Sequence, residues 1–203
     1  MPQPAISFKD FKGIRGLKIA TLTADTAESL THGAVQPFAG AQEVGNETEE
    51  STATKYYDNQ PSIVTTAEGA DTYSIITSVL DDTTKAVVEG RKYDEANKLY
   101  MATPLKRPYC ALGFIATDTD DKDYYYWVLK GKFTGGAESH ATRDDGTDTT
   151  NLEWSFNSIY TNKTFEDADN QPLKYVKVEA GGTITEKTFF AKVWTPDDLT
   201  PTA

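Results

Sequence analysis

The sequence predicts a mainly β fold with one or two short helices. Three observations carry that expectation. Thr and Tyr, which favour the pleated backbone, are abundant, with 11 tyrosines in 203 residues. Two runs, Arg107–Thr117 and Tyr124–Phe133, are joined by the short polar tip "DTDDKD" and read as a β-hairpin, the strongest such signal in the chain. A further run, Asn151–Thr161, sets Leu152, Trp154 and Phe156 against polar neighbours as far as Ile159, the alternation of a half-buried strand.

Taken in order, residues 1–13 read as an arm, because Pro2 and Pro4 discourage regular structure. The body of the domain spans 14–195, and 196–203 is a polar tail. "IRGLKIATLT" (14–23) is the first strand. Residues 36–62 form a long excursion, acidic in its middle and bounded by Pro37 and Pro61, which is read as a hairpin with a mobile tip. A loop of this length in a compact domain is commonly functional or ordered by a partner. "DTYSIITSVL" (71–80) is a strand with Tyr73, Ile75, Thr77 and Val79 on one face. "DDTTKAVVEG" is a short helix: Asp81 or Asp82 caps its free N–H groups, and Gly90 ends it in the left-handed conformation. "RKYDEANKLYMATP" is a polar hairpin turning near Asn97, and "LKYVKVEA" adds a strand. In "TITEKTFFAKVWTP", Thr183 and Glu186 have capping-box spacing; Phe189, Phe190, Val193 and Trp194 line a short helix that Pro196 stops.

The totals narrow the function. A length of 203 residues suits one domain with a substantial core, or one domain with long arms, and 38% apolar residues is slightly low, so some segments are expected to be exposed or covered by a partner. A net charge of −11 argues against a surface that grips nucleic acid. The single cysteine, Cys110, excludes an internal disulfide and reads as a small buried hydrophobe. No run approaches the ~20 apolar residues of a membrane helix. The first residues carry lysines without an apolar run behind them, so a secretory signal is not expected, and the triplets at Asn46 and Asn162 are read as chance.

No catalytic constellation is visible. Of the two histidines, His32 and His140, the second lies in a loop-like stretch, and Ser139 is too close to it along the chain to form a nucleophile–base pair. "DTDDKD" resembles the opening of a calcium loop, but the turn glycine is missing and the twelfth position from Asp118 is Leu129, where a bidentate Glu is needed. "RDDGTD" reads as a turn at Asp145-Gly146. Phosphate loops, zinc spacings and nucleotide fingerprints are absent from the sequence. The expectation is a protein that is not an enzyme and uses no cofactor or metal.

The stretch "KDYYYWVLKGKF" (122–133) concentrates the question. As a regular strand it puts Tyr125, Trp127, Leu129 and Phe133 on one face, a core face. Tyr124, Tyr126, Val128, Lys130 and Lys132 share the other, which suits a solvent face, a stacking platform or a subunit interface.

The order of these motifs resembles that of the major tail proteins, or tail tube proteins, of long non-contractile-tailed bacteriophages of Gram-positive hosts. "RPYCALGFIATD" followed by "YYYWVLKGKF" is similar to the family's P-Y-x-A-L-G-F and W-x-x-K-G-K-F strands. The helix ending at Gly90, the "YDEANKLY" hairpin, "ESHATRDD" with Thr142-Arg143 where the family has T-K, "LEWSF" and "TEKTFFAKVW" follow the family order across roughly 14–195. Arg143 replaces the usual Lys, and 36–62 matches only in general pattern.

The resemblance implies a tail tube fold: two packed antiparallel sheets forming a β-sandwich or barrel, with a long loop and an N-terminal arm. It also implies homo-hexameric rings stacked into a tube around a tape-measure protein, ending at tail terminator and distal tail proteins, in the virion and, during assembly, the host cytoplasm. DNA passes without specific binding, and no membrane is engaged. An acidic wall suits this role, because DNA carries one charge per ~1.7 Å and basic walls would hold it. On this reading Lys9, Lys12 and Arg15 complement Glu43, Glu47, Glu49 and Glu50 between rings. Tyr124, Tyr126, Lys130 and Lys132 lie within a ring interface or at the channel. The alternative is a carbohydrate-binding β-sandwich module stacking sugars on Tyr124 and Tyr126.

Overall fold

The structure, a computed structural model, describes residues 9–140 and 151–199. The turn read at Asp145-Gly146, Thr142-Arg143 and most of the 1–13 arm lie outside those residues. The strands are β1 (Phe11–Asp25), β2 (Leu30–His32), β3 (Gln36–Pro37), β4 (Ala41–Tyr57), β5 (Gln60–Thr77), β6 (Lys92–Asp94), β7 (Leu99–Met101), β8 (Cys110–Asp118), β9 (Asp123–Gly135), β10 (Leu152–Ser158), β11 (Thr164–Phe165), β12 (Gln171–Pro172) and β13 (Tyr175–Glu179). The helices are α1 (Asp82–Glu89) and α2 (Glu186–Phe189). The fold is mainly β and sandwich-like, as the sequence predicts. One continuous nine-stranded antiparallel sheet, in the order β2-β1-β8-β9-β10-β5-β4 with β13 on β9 and β3 on β1, supplies the layers. It curls so that β1 approaches β4, and the Phe38 N–H donates to the Leu17 carbonyl at 3.0 Å where they come together.

The central strands β8 and β9 are buried on both faces. On one side Leu112, Phe114 and Val128 join Ile19, Ile75, Val88, Trp154 and Phe156 in a core enclosed by the curl. On the other, Ala111, Ile115, Tyr125, Trp127 and Leu129 pack under Phe189, Phe190, Val193 and Trp194 from the C-terminal segment. The buried Trp127 Nε1–H donates to the Phe189 carbonyl at 3.0 Å, so the polar edge of this large ring is satisfied inside the core.

Several local expectations hold. Asp81 caps α1 by accepting from the Thr84 N–H at 2.9 Å, and Gly90 closes the helix at φ 65°. The 92–101 hairpin turns as read, with Asp94 accepting from the Ala96 and Asn97 N–H groups.

Four expectations change. The first strand begins at Phe11 and runs to Asp25, so Lys12 lies in the sheet and not in an arm. The 36–62 excursion is part of a longer hairpin. β4 pairs β5 from Ala41↔Thr77 out to Tyr57↔Gln60, so the strand read at 71–80 is the inner half of an 18-residue strand. Asp58 and Asn59, both at positive φ, make the tight turn. The C-terminal capping box uses Thr185 and Thr188, not Thr183 and Glu186, and α2 is a single turn.

The fourth change concerns β9. Cys110 pairs with Gly131 but Leu112 with Val128, so β9 carries one extra residue, a β-bulge at Leu129–Lys130. The extra residue reverses the facing of everything after it. Phe133 therefore joins the core of Phe114 and Val128 instead of that of Trp127. Tyr124 and Tyr126 no longer share a face with Lys130 and Lys132.

The cap over the second core gives a direct test. Phe189 is fully buried, and Phe189→Ala is expected to cost about 3–5 kcal/mol in a urea unfolding titration. A loss below about 1 kcal/mol would mean that the C-terminal segment is not part of the core.

Candidate functional site

The most unusual surface is the outer part of the β4–β5 hairpin. Every residue from 49 to 69 is exposed. Outside the last rung on the body, Thr48↔Asp71, the strands pair only with each other. At ~3.3 Å per residue this ribbon projects roughly 25 Å. It has no core of its own, and a two-stranded ribbon alone is marginal in water. Its composition is rich in strand-forming residues: Thr52, Thr54, Thr65 and Thr66 along the shaft, and Tyr56, Tyr57, Ile63 and Val64 towards the tip. Val64 is 64% and Tyr56 66% exposed. Between Glu50 and Glu68 the only charges are Lys55 and Asp58. The acidic candidates Glu43, Glu47, Glu49 and Glu50 belong to the inner half of the hairpin, so the excursion is acidic at its root and neutral at its tip.

A buried ion cluster holds that root. Lys174, whose side chain is only 4% exposed, donates to Asp71 at 2.9 Å and to the Gly69 carbonyl at 2.7 Å. It also pairs with Glu68 and lies over the Tyr160 ring. Lys174 and Tyr160 together hold the Glu68 carboxyl below its ordinary value. One lysine from the β12–β13 connection thus ties down the segment at which the ribbon leaves the body.

The basic candidates are already paired within the chain. Lys9 lies 3.5 Å from Asp118, Lys12 2.5 Å from Asp121, and Arg15 2.6 Å from Asp123 and 3.3 Å from Glu186. The sequence suggested Glu43–Glu50 as their complement; the nearer one is the acidic β8–β9 turn, which β1 runs beside in the sheet. The Thr117 hydroxyl and Arg15 outweigh burial and hold the Asp123 carboxyl below the usual carboxylate range. Asp118, the first residue of the calcium-like stretch, is occupied by the N–H groups of Asp120 and Lys122 at 2.8 and 2.9 Å.

The bulge separates the remaining candidates. Lys130 is buried and donates to Asp25 at 2.6 Å, with the backbone N–H groups of Asn162 and Lys163 also donating to that carboxylate. Lys132 lies 4.3 Å over the Tyr109 ring. On the opposite face Tyr126 stacks on Phe114 at 4.6 Å and Tyr124 meets Phe11 edge-on at 5.5 Å. The Lys177 ammonium sits over both tyrosines, at 4.4 and 5.3 Å. Their faces are therefore engaged by the chain's own side chains, which leaves little planar surface for a sugar.

Sequence reasoning missed the part played by His32. Its Nε2 lies 2.8 Å from the Leu129 carbonyl at the bulge. A carbonyl only accepts, so Nε2 carries the proton and the ring satisfies a group that the ladder leaves free. Burial lowers the His32 pKa below its ordinary 6.5. Cys110 is fully buried, and burial pushes its thiol up to about 12. Among the described residues, no cluster of three or more His, Cys, Asp or Glu side chains could hold a metal ion, and no helix is long and apolar enough to cross a membrane.

Beside the ribbon root, the gap between β1 and β4 forms an open groove of about 490 Å³. Phe11, Ile14, Val44, Phe114, Tyr126 and Tyr175 line it, and among the described residues Glu43 is its only charged lining residue. No family model matches the chain, and no curated protein matches it.

Two outcomes follow. Lys174→Met strands the Asp71 carboxylate in the interior and is expected to cost about 3–5 kcal/mol by urea titration, while adding Asp71→Asn recovers most of the loss. For His32, the folded pKa is depressed, so its contribution is complete above the unfolded pKa near ~6.5 and is lost as pH falls towards the folded value. Wild-type stability should therefore decline as pH falls below ~6.5, and His32→Gln, which keeps an N–H donor, should flatten that slope.

Proposed function

We propose that this chain is a structural subunit that assembles with copies of itself, and that the assembly is the stacked hexameric ring of a phage tail tube. The carrying observation is the β4–β5 ribbon. Long strands rich in Thr, Val, Ile and Tyr, with two free edges and almost no charge, are what soluble monomers avoid, because such edges template pairing with another chain. A ribbon of this kind is tolerable where a partner covers it. The order of sequence motifs shared with tail tube proteins supplies the particular assembly, with a tape-measure protein in the lumen and terminator and distal proteins at its ends.

The acidic balance fits a channel through which DNA slides. Inter-ring contact then rests more on the ribbon than on Lys12 and Arg15, whose charges are already neutralised inside the subunit. A sugar-binding module has weaker support, since Lys177, Phe11 and Phe114 occupy the tyrosine faces it would use.

The test is negative-stain electron microscopy with light scattering over a concentration series. Wild type is expected to form six-fold rings or hollow tubes. Replacing residues 51–67 by a tight Asn-Gly turn should leave a folded protein that stays monomeric. A variant that forms tubes as wild type does would overturn the role of the ribbon. A wild type that stays monomeric throughout, even when seeded with tail tips, would overturn the tube.

A further inference from the structure

We infer that the β1–β4 groove is the receptor for the ribbon tip of a second copy of this chain, with Ile63 entering the groove and Lys55 meeting Glu43 at its rim. This rests on the self-assembly reading above and specifies its contact.

The groove is a seam in the sheet. β1 bonds to β8 on one side; on its other side Lys18–Ile19 and Leu22–Asp25 pair with β3 and β2, and the Leu17 and Thr21 carbonyls accept from Phe38 and Gly33. Among the described residues, Phe11–Gly16 therefore presents an edge without a strand partner. β4 ends the strand order and, among the described residues, is likewise unpaired on its outer side. Two free edges flank an apolar trough, and at its mouth Phe11 is 57% and Tyr175 46% exposed. Such a trough fits an extended segment that offers apolar side chains and backbone hydrogen bonds together.

The ribbon tip has that chemistry, and its charge selects it. Ile63 and Lys55 are directly opposed across the ribbon, so they project from one face. Lys55 is the only cation between Glu50 and Glu68, and among the described residues Glu43 is the only charged one lining the groove. An apolar anchor beside a cation thus faces an apolar trough beside an anion. The ribbon leads away from the groove of its own subunit. β4 itself forms one wall through Gln42–Asn46, and the same strand continues from there to the turn after Tyr57. The contact must therefore form in trans. Donor and receptor are different patches, so each copy can give one ribbon and accept another. Such a heterologous contact propagates as a ring or a stack rather than closing as a two-fold dimer.

The test is a disulfide trap in the full chain. Lys55→Cys and Glu43→Cys proteins are prepared separately, mixed and mildly oxidised; native Cys110 is fully buried and does not compete. The mixture is expected to give a covalent dimer that neither protein gives alone. The charge exchange is the companion measurement. Lys55→Glu and Glu43→Lys should each raise the concentration needed for assembly by roughly fivefold, and the double variant should return to the wild-type value. Both positions are exposed, so the fold tolerates all these changes.

Failure of the mixed disulfide while wild type assembles overturns the groove contact and leaves the self-assembly reading standing. Lys55→Cys homodimers alone, marking a tip-to-tip pair, also overturn it. A mixed disulfide in a protein that never passes a small oligomer upholds the contact and overturns the tube. Absence of both the disulfide and any assembly overturns the two together.

Discussion

The β-bulge at Leu129–Lys130 is the constraint on which the rest of this structure depends. A regular β9 would keep one face throughout and serve one core. The extra residue lets its first half bury Tyr125, Trp127 and Leu129 against the C-terminal segment, while Phe133 after the bulge returns to the core inside the curl. It also lets one strand edge serve two neighbours, β13 along Tyr124–Val128 and β10 along Gly131–Gly135. Three of the polar groups at the bulge find partners outside the β8 ladder: His32 serves the Leu129 carbonyl, the Lys174 carbonyl accepts from the Leu129 N–H, and the Ile159 N–H donates to the Lys130 carbonyl. The Lys130 side chain goes to Asp25, which ties the end of β1 to the middle of β9.

Lys174 links that centre to the periphery. Its backbone carbonyl supports the bulge, and its ammonium holds Glu68 and Asp71 where the ribbon leaves the body. The densely packed part of the molecule and the part with no core of its own thus meet at one residue. Buried charge of this kind contributes little net stability against an apolar replacement, but it fixes geometry. For a ribbon with no other support, geometry is the useful product.

Charge is arranged to the same end. Lys9, Lys12 and Arg15 are paired with acids at the β8–β9 turn, the acids of the hairpin lie at its root, and the outer ribbon is almost neutral. An acidic body discourages indiscriminate association, and the neutral ribbon with a single lysine is left as the surface able to make a chosen contact. The proposed assembly depends on that separation.

Local signals made most of the elements legible in the sequence. Alternation located β8, β9 and β10, a capping aspartate and a terminal glycine bounded α1, and composition marked 36–62 as exceptional. These depend on neighbours along the chain, and so they can be read from it. What the sequence alone could not decide is which residues meet across the sheet. The bulge is invisible in "YYYWVLKGKF", because an extra residue exists only relative to the partner strand; hence Tyr124 and Lys130 were placed on one face. The intrachain partners of Lys12 and Arg15 are hidden for the same reason, since only register brings Lys12 beside Asp121. The sequence determined a β-rich, acidic chain with one exceptional segment, 36–62. The tertiary structure decided that this segment is a projecting ribbon and that a groove of matching chemistry lies beside its root, because pairing between distant strands sets both.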